Sequence, residues 1–221
     1  GDPNFNIAPG TTTIIATGIT DGAAAGDVVV NNDGVSTGTL VFSAINTYTG
    51  PTTIEAGLLQ LTGTGSIATT SAVTNHATFD ISGAAATVNL TGSGASPTSS
   101  FTQSNSGNLI MAGAASGFQK LAVNGPASLA GTLTLNTTAG TYSVGRYTVL
   151  TATGGVSGGF NTLSTNLSNY TALHYVLDYN ANSVFLDLFT GLSSRNTLLS
   201  IKNSAAQTVS ALSQRTAETT N

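Results

Sequence analysis

Few residues in this chain could do chemistry, and their spacing limits what they could do. Gly155-Val156-Ser157-Gly158-Gly159 matches G-x-S-x-G, the pattern that presents a nucleophilic serine at a strand-to-helix elbow. His174 and Asp178 follow it, so chain order alone admits a triad. The elbow needs a helix directly after the serine, and Phe160-Asn161-Thr162 opens no helical run. The stretch reads as a β-turn. The histidines, His76 and His174, are far apart and lack the H-x-x-x-H spacing of a metal site. Asp21, Asp27 and Asp33 recur at equal intervals, a hint of calcium, but without the Gly-rich nonapeptide spacing of a calcium-binding β-roll. They read as turn aspartates. Asp80 and Asp187 stand singly in strand-like runs, Asp178 beside a turn and Glu55 beside Ala56-Gly57. No pair of carboxylates is therefore gathered for glycoside cleavage. The C-terminal tyrosines could stack on sugar rings, but core packing explains them better. Asn89-Leu90-Thr91, Asn136-Thr137-Thr138 and Asn169-Tyr170-Thr171 fit the glycosylation pattern, as chance allows in a chain rich in Asn, Thr and Ser. The expectation is no catalytic, cofactor-binding or metal-binding residue, no cofactor, no enzyme, and a binding surface that the residues do not identify.

Composition narrows the class of protein that must position such residues. Charged residues make up 6 % of the 221, against roughly 25 % in an ordinary globular chain. With 40 % hydrophobic residues this is not a charge-expanded disordered chain. Its polar surface must come from Thr, Ser, Asn and Gly, which suits stacked β-rungs, and 26 glycines supply the turns. A net charge of −4 with Lys120, Lys202, Arg146, Arg195 and Arg215 scattered argues against nucleic acid and against docking on anionic lipid. The absence of cysteine excludes disulfides and thiolate metal sites. No signal-peptide pattern or long apolar span occurs. Gly1-Asp2-Pro3 reads as a cut point within a longer chain.

Strand signals recur along the chain. Thr12–Ala16 and Val28–Val30 are expected strands, with turns at Asp21-Gly22, Asn32-Asp33-Gly34 and Ser36-Thr37-Gly38. Leu40–Phe42, Thr52-Thr53-Ile54 and Leu58–Leu61 are three more, the first two joined by the polar turn Asn46-Thr47-Tyr48-Thr49-Gly50. Ser71–Gly83 gives another rung, with Phe79 and Ile81 on one inward face, and Thr87–Leu90 continues it. Gly92–Ser100 is the softest boundary. Ala122–Leu135 reads as strand, turn, strand. Tyr142–Thr151 reads as a strand pair bent at Gly145, and Tyr175–Leu188 as a hairpin turning at Asn180–Asn182. In Ser193–Asn221 the period becomes helical, through Leu198, Ile201, Ala205, Val209 and Leu212.

Leu40–Leu61 resembles the passenger-associated repeat of bacterial autotransporters, in which an N-T-Y-T-G core precedes Thr-Thr-Ile, a Gly and a Leu-x-Leu strand. It departs at Pro51, where that pattern has Gly. Phe101–Leu188 resembles the autochaperone, or pertactin-like C-terminal region, of such passengers. Gly131-Thr132-Leu133, Gly145-Arg146-Tyr147-Thr148-Val149-Leu150, Gly158-Gly159-Phe160 and Val184-Phe185-Leu186-Asp187-Leu188 carry that second resemblance.

Together these imply an all-β fold, a right-handed parallel β-helix with a C-terminal β cap and a short terminal α-helix. The expected organisation is rungs over 1–100 with the repeat at 40–61, a cap over 101–191, and over 192–221 a linker helix toward an outer-membrane β-barrel, the expected partner, absent from this chain. The resemblance implies export from a Gram-negative bacterium to the cell surface or beyond. The fragment is then a monomeric stalk and folding segment of an adhesin or self-associating surface protein, meeting host cells or its own kind and no nucleic acid. A stalk carrying an upstream protease or lipase is the alternative.

Overall fold

Alternation of inward and outward side chains over short, Gly-bounded runs makes each segment a strand too short to bury its apolar face alone. Stacking solves this. The computed structural model describes residues 3–93, 97–167 and 173–190. The first turns of the coil hold β1 (Asn4–Phe5) and β2 (Thr12–Ile15), β3 (Val28–Val30) and β4 (Thr39–Phe42), then β5 (Thr52–Ile54) and β6 (Leu58–Thr62). Later turns add a third wall: β7 (Ala72–Asn75), β8 (Thr78–Gly83) and β9 (Thr87–Leu90); β10 (Ser100–Gln103), β11 (Asn108–Ala114), the short β12 (Gly117–Phe118) and β13 (Lys120–Val123); β14 (Ala127–Leu129), β15 (Thr132–Thr137) and β16 (Gly145–Ala152). The last turn has β17 (Val156–Gly158) and β18 (Thr162–Thr165), followed by β19 (Leu173–Tyr179) and β20 (Ser183–Thr190).

Strands from successive turns lie one on another. The first sheet runs β1-β3-β5-β7-β10-β14-β17 and the second β2-β4-β6-β8-β11-β15-β18, while the third runs β9-β13-β16-β20-β19. All pairings along the first two sheets are parallel, so this is a parallel β-helix. The core is a set of inward columns. Leu40 lies on Leu59, Leu59 on Phe79, Phe79 on Leu109 and Leu109 on Leu133, and all are fully buried. Each such side chain contributes about 1.5–3 kcal/mol by leaving water. Phe79 also meets Phe101 across the coil, ring centres 6.5 Å apart.

Several expectations are corrected. Ala122–Leu135 forms parts of three strands, β13, β14 and β15, because Gly125-Pro126 and Ala130-Gly131 each turn a corner. Tyr142–Thr151 is not a bent pair: β16 begins at Gly145 and is continuous, with Tyr142 lying before it. β10 and β11 were not anticipated, although Leu109 and Met111 alternate inward as they should. The expected terminal helix lies outside the described residues.

The parallel stack ends in an antiparallel hairpin. β20 pairs antiparallel with β16 and with β19, with Arg146 opposite Asp187. Arg146 donates through Nε and Nη2 to both Asp187 oxygens (2.8 Å each) and through Nη2 to Asp178 (2.6 Å), and lies 4.7 Å over the Phe185 ring. The hydrogen bonds to Asp187, then the one to Asp178, raise the Arg146 pKa further, so the guanidinium keeps its charge throughout and below the ordinary arginine range. The hairpin also covers the last turn: Val156 N–H donates to Ala181 (2.7 Å), and Phe160 N–H to the Tyr179 hydroxyl (3.1 Å). Ending the chain at Thr137 would uncover the edges of β13, β14 and β15, and exposed parallel edges associate end to end. On dilution from urea, the shortened chain is expected to aggregate at concentrations where the full chain refolds to a monomer. Equal recovery of soluble β-structure, by circular dichroism and light scattering, would show that the coil needs no such closure.

Candidate functional site

Among the described residues the corner 46–50 gathers the densest set of side-chain bonds between turns of the coil. The sequence reads it as a polar, Gly-ended turn. Within it Asn46 and Tyr48 are buried, at 2 % and 1 % exposure. Asn46 Oδ1 accepts the Ile19 N–H of the turn before (2.9 Å), and Nδ2 donates to Ala44 (3.1 Å) and to Ser66 of the turn after (3.0 Å). The Tyr48 hydroxyl bonds Thr52 (2.6 Å), Thr52 meets Thr70 (3.1 Å), and Thr70 donates to the Gly50 carbonyl (2.7 Å). Burial pushes the Tyr48 phenol pKa up, so it stays protonated and able to donate. Thr49 donates its N–H (3.0 Å) and hydroxyl (2.6 Å) to Asp21, while Thr69 donates to the Tyr48 carbonyl (2.7 Å). Gly50 has no room for a Cβ, which would sit 2.6 Å from the Gly26 carbonyl oxygen. Each residue of the motif except Thr47 thus has a side-chain or steric role, and Thr47 donates its N–H to Ile19 (2.8 Å).

Other corners use the same device. Asn31, at φ 54°, accepts from Ile7 N–H (2.8 Å) and donates to Gly38 (2.9 Å) and Ala56 (3.0 Å). Asparagine tolerates this left-handed conformation better than other side chains. Gln103 donates to Ala130 and Thr132, and Gln119 to Ile81 and Ala85 while accepting from Ala112 N–H. Sequence reasoning missed these residues, since an amide in a turn-rich chain looks the same whether it points in or out.

The residues that tempted a chemical reading are not brought together. Ser157 is the middle of β17, paired with Ser128, so the β-turn reading is also corrected. His174 stacks on Phe189 with centres 5.7 Å apart, and Asp178 binds Arg146. Asp21 accepts from Gly26 and Thr49, and Asp33 from Val35 and Ser36. These bonds lower both carboxyl pKa values, led by the Thr49 hydroxyl for Asp21 and the Ser36 N–H for Asp33. Among the described residues no three of His, Cys, Asp and Glu converge as metal ligands. Asp80 accepts from Gln60 (3.0 Å) on the outer face of the second sheet, and Glu55 is exposed just after β5. Tyr147, Tyr175 and Tyr179 pack on the core of the C-terminal turns, where Tyr142 is buried. Tyr170 and Asn169 lie outside the described residues, while Asn89 and Asn136 are exposed.

What the geometry does build is a surface. On the first sheet Thr53, Thr74, Thr102, Ser128 and Ser157 fall in one outward column, in register from turn to turn. None of that sheet's strands contains a charged residue. The inward hydroxyl of Thr52, on the same strand as Thr53, is fully bonded within the coil.

The corner's energetics can be measured. Asn46→Ala leaves the Ile19 N–H without its partner, while the Ala44 and Ser66 carbonyls each keep a backbone donor (3.3 and 3.0 Å), and is expected to lower unfolding free energy by about 1–3 kcal/mol. Tyr48→Phe loses one hydrogen bond and should cost about 1 kcal/mol. Urea unfolding checks both, and a loss below about 0.5 kcal/mol for Asn46→Ala, typical of an ordinary surface site, would contradict the assignment.

Comparison with known proteins agrees with this corner. Residues 36–61 match the family model described as passenger-associated-transport-repeat, a span that takes in β4, the 46–50 corner, β5 and all but the last residue of β6. No curated protein matches the chain. Such repeats occur in the passengers of autotransporters, which are secreted or cell-surface bacterial proteins. The chain carries one passenger-associated-transport-repeat, folded as a rung of a parallel β-helix.

Proposed function

We propose that this chain is the C-terminal stalk and folding segment of an outer-membrane autotransporter's passenger, and that the whole protein is an adhesin or self-associating surface protein. The observation that carries the adhesive reading is the uncharged outer face of the first sheet with its hydroxyl column. A hydroxyl both donates and accepts, so such a column is complementary to a second copy of itself in either orientation. Two copies also share one pitch, about 4.8 Å per turn, so every contact repeats along the column. The antiparallel hairpin at the end of the stack supports a role as cap and autochaperone. A most stable terminal rung gives later turns a template on which to propagate.

The column is about 20 Å long and one side chain wide. The patch is far below the ~800 Å² per partner of a stable interface. Affinity between two chains is therefore weak, and adhesion comes from many chains displayed together. Sedimentation of the purified chain should detect reversible dimers only at about 0.1–1 mM, an affinity of roughly 4–5 kcal/mol. The Thr74→Lys, Thr102→Lys double variant should remain monomeric throughout with its fold intact. A wild-type chain that is monomeric over the whole range, or a double variant that still dimerises, would remove this face from the account.

A further inference from the structure

Between β2 and β3 the chain lies against the next turn of the coil as a strap without strand structure, and one carboxylate holds its middle. Asp21 Oδ1 accepts the N–H of Gly26 (2.9 Å) and of Thr49 (3.0 Å), and Oδ2 accepts the Thr49 hydroxyl (2.6 Å). All three donors are neutral. Before the strap, Ile19 is tied by its own N–H and carbonyl to Asn46 and Thr47, and after it Val28 N–H donates to Pro51. Within it, Gly22-Ala23-Ala24-Ala25 is exposed and offers no side chain able to pair with the next turn. Beneath lies a cavity of about 260 Å³ walled by Gly22 to Gly26 on one side and by Pro3, Ile19 and Tyr48 on the other.

We infer that residues 20–27 form an acid-released strap, locked onto Thr49 by the ionised Asp21 carboxylate and opened when that carboxylate takes up a proton. Hydrogen bonds to an ionised acceptor are about twice as strong as neutral ones, and protonation also turns one Asp21 oxygen into a donor facing another hydroxyl. The sign follows from linkage. Asp21 is held below its ordinary value, so its contribution is present above about pH 4 and is lost as pH falls through the folded-state value. Among the described residues the other titratable groups here are Asp27, whose carboxylate faces Gly50, and Tyr48 in the cavity wall. The described cations, Lys120 and Arg146, stand on β13 and β16 in later turns. Opening the strap uncovers Tyr48 and the 46–50 corner while β3 and β5 stay paired.

The test is a pH titration of the ¹⁵N-labelled full chain by NMR, with backbone order parameters measured on either side of the transition. The Gly26 and Thr49 amide resonances should move together with one midpoint below about pH 4. Across it, order parameters of residues 22–26 should fall from about 0.85 to below 0.6, while those of Val29 and Thr53 stay high. Asp21→Ala should show the low values already at pH 7, and Asp27→Asn should keep the wild-type transition. Unchanged order parameters through the titration would overturn the inference. So would loss of order in β3 and β5 at the same pH, or a transition abolished by Asp27→Asn and kept by Asp21→Ala.

Discussion

The structure depends on one constraint: where a β-helix turns a corner, backbone groups leave the sheet ladder and must still find partners. Within the sheets the turn above supplies them, but at a corner an N–H or carbonyl buried without a partner costs about 1–3 kcal/mol. Here side-chain amides meet that demand. Asn31 and Asn46 each reach the turn before and the turn after, so one residue ties three layers of chain. The passenger-associated repeat contains the most heavily bonded of these corners, which gives the N-T-Y-T-G motif a physical reason.

The same constraint accounts for the composition. A coil held by inward columns and corner amides needs little charge, and the charge it has is placed with purpose. Asp21 and Asp33 organise loops, while the Arg146 pair of ion bridges lies where the parallel stack gives way to the antiparallel hairpin. The outer face of the first sheet carries none, which leaves hydroxyls as its chemistry.

How much of this was legible in the sequence differed by level. Inward residues such as Leu40, Leu59, Phe79 and Ile81 were readable because alternation survives in short runs. The motif at 46–50 was recognisable, but the burial of its polar residues was not, since that of Asn46 and Tyr48 depends on bonds to Ile19, Ser66 and Thr52. The hydroxyl column was hidden for a different reason. Thr53, Thr74 and Thr102 become neighbours only once the register between turns is known, and the turns differ in length. β11 was overlooked because Ala112, Gly113 and Ala114 soften the strand signal of Leu109 and Met111. The Ser157 motif shows the converse, a pattern that survives in sequence without the helix that would give it meaning.

Native-state hydrogen exchange of the whole chain at neutral pH tests the central claim most directly. The N–H groups of Ile7, Ile19, Ala112 and Gly131 donate to side-chain amides of Asn31, Asn46, Gln119 and Asn161 instead of to the backbone. If corner amides hold the coil together, these four should exchange as slowly as the ladder amides beside them, opening only with the sheets. Exchange at the rate of exposed loop residues, with the sheets still protected, would mean that strand pairing alone carries the fold.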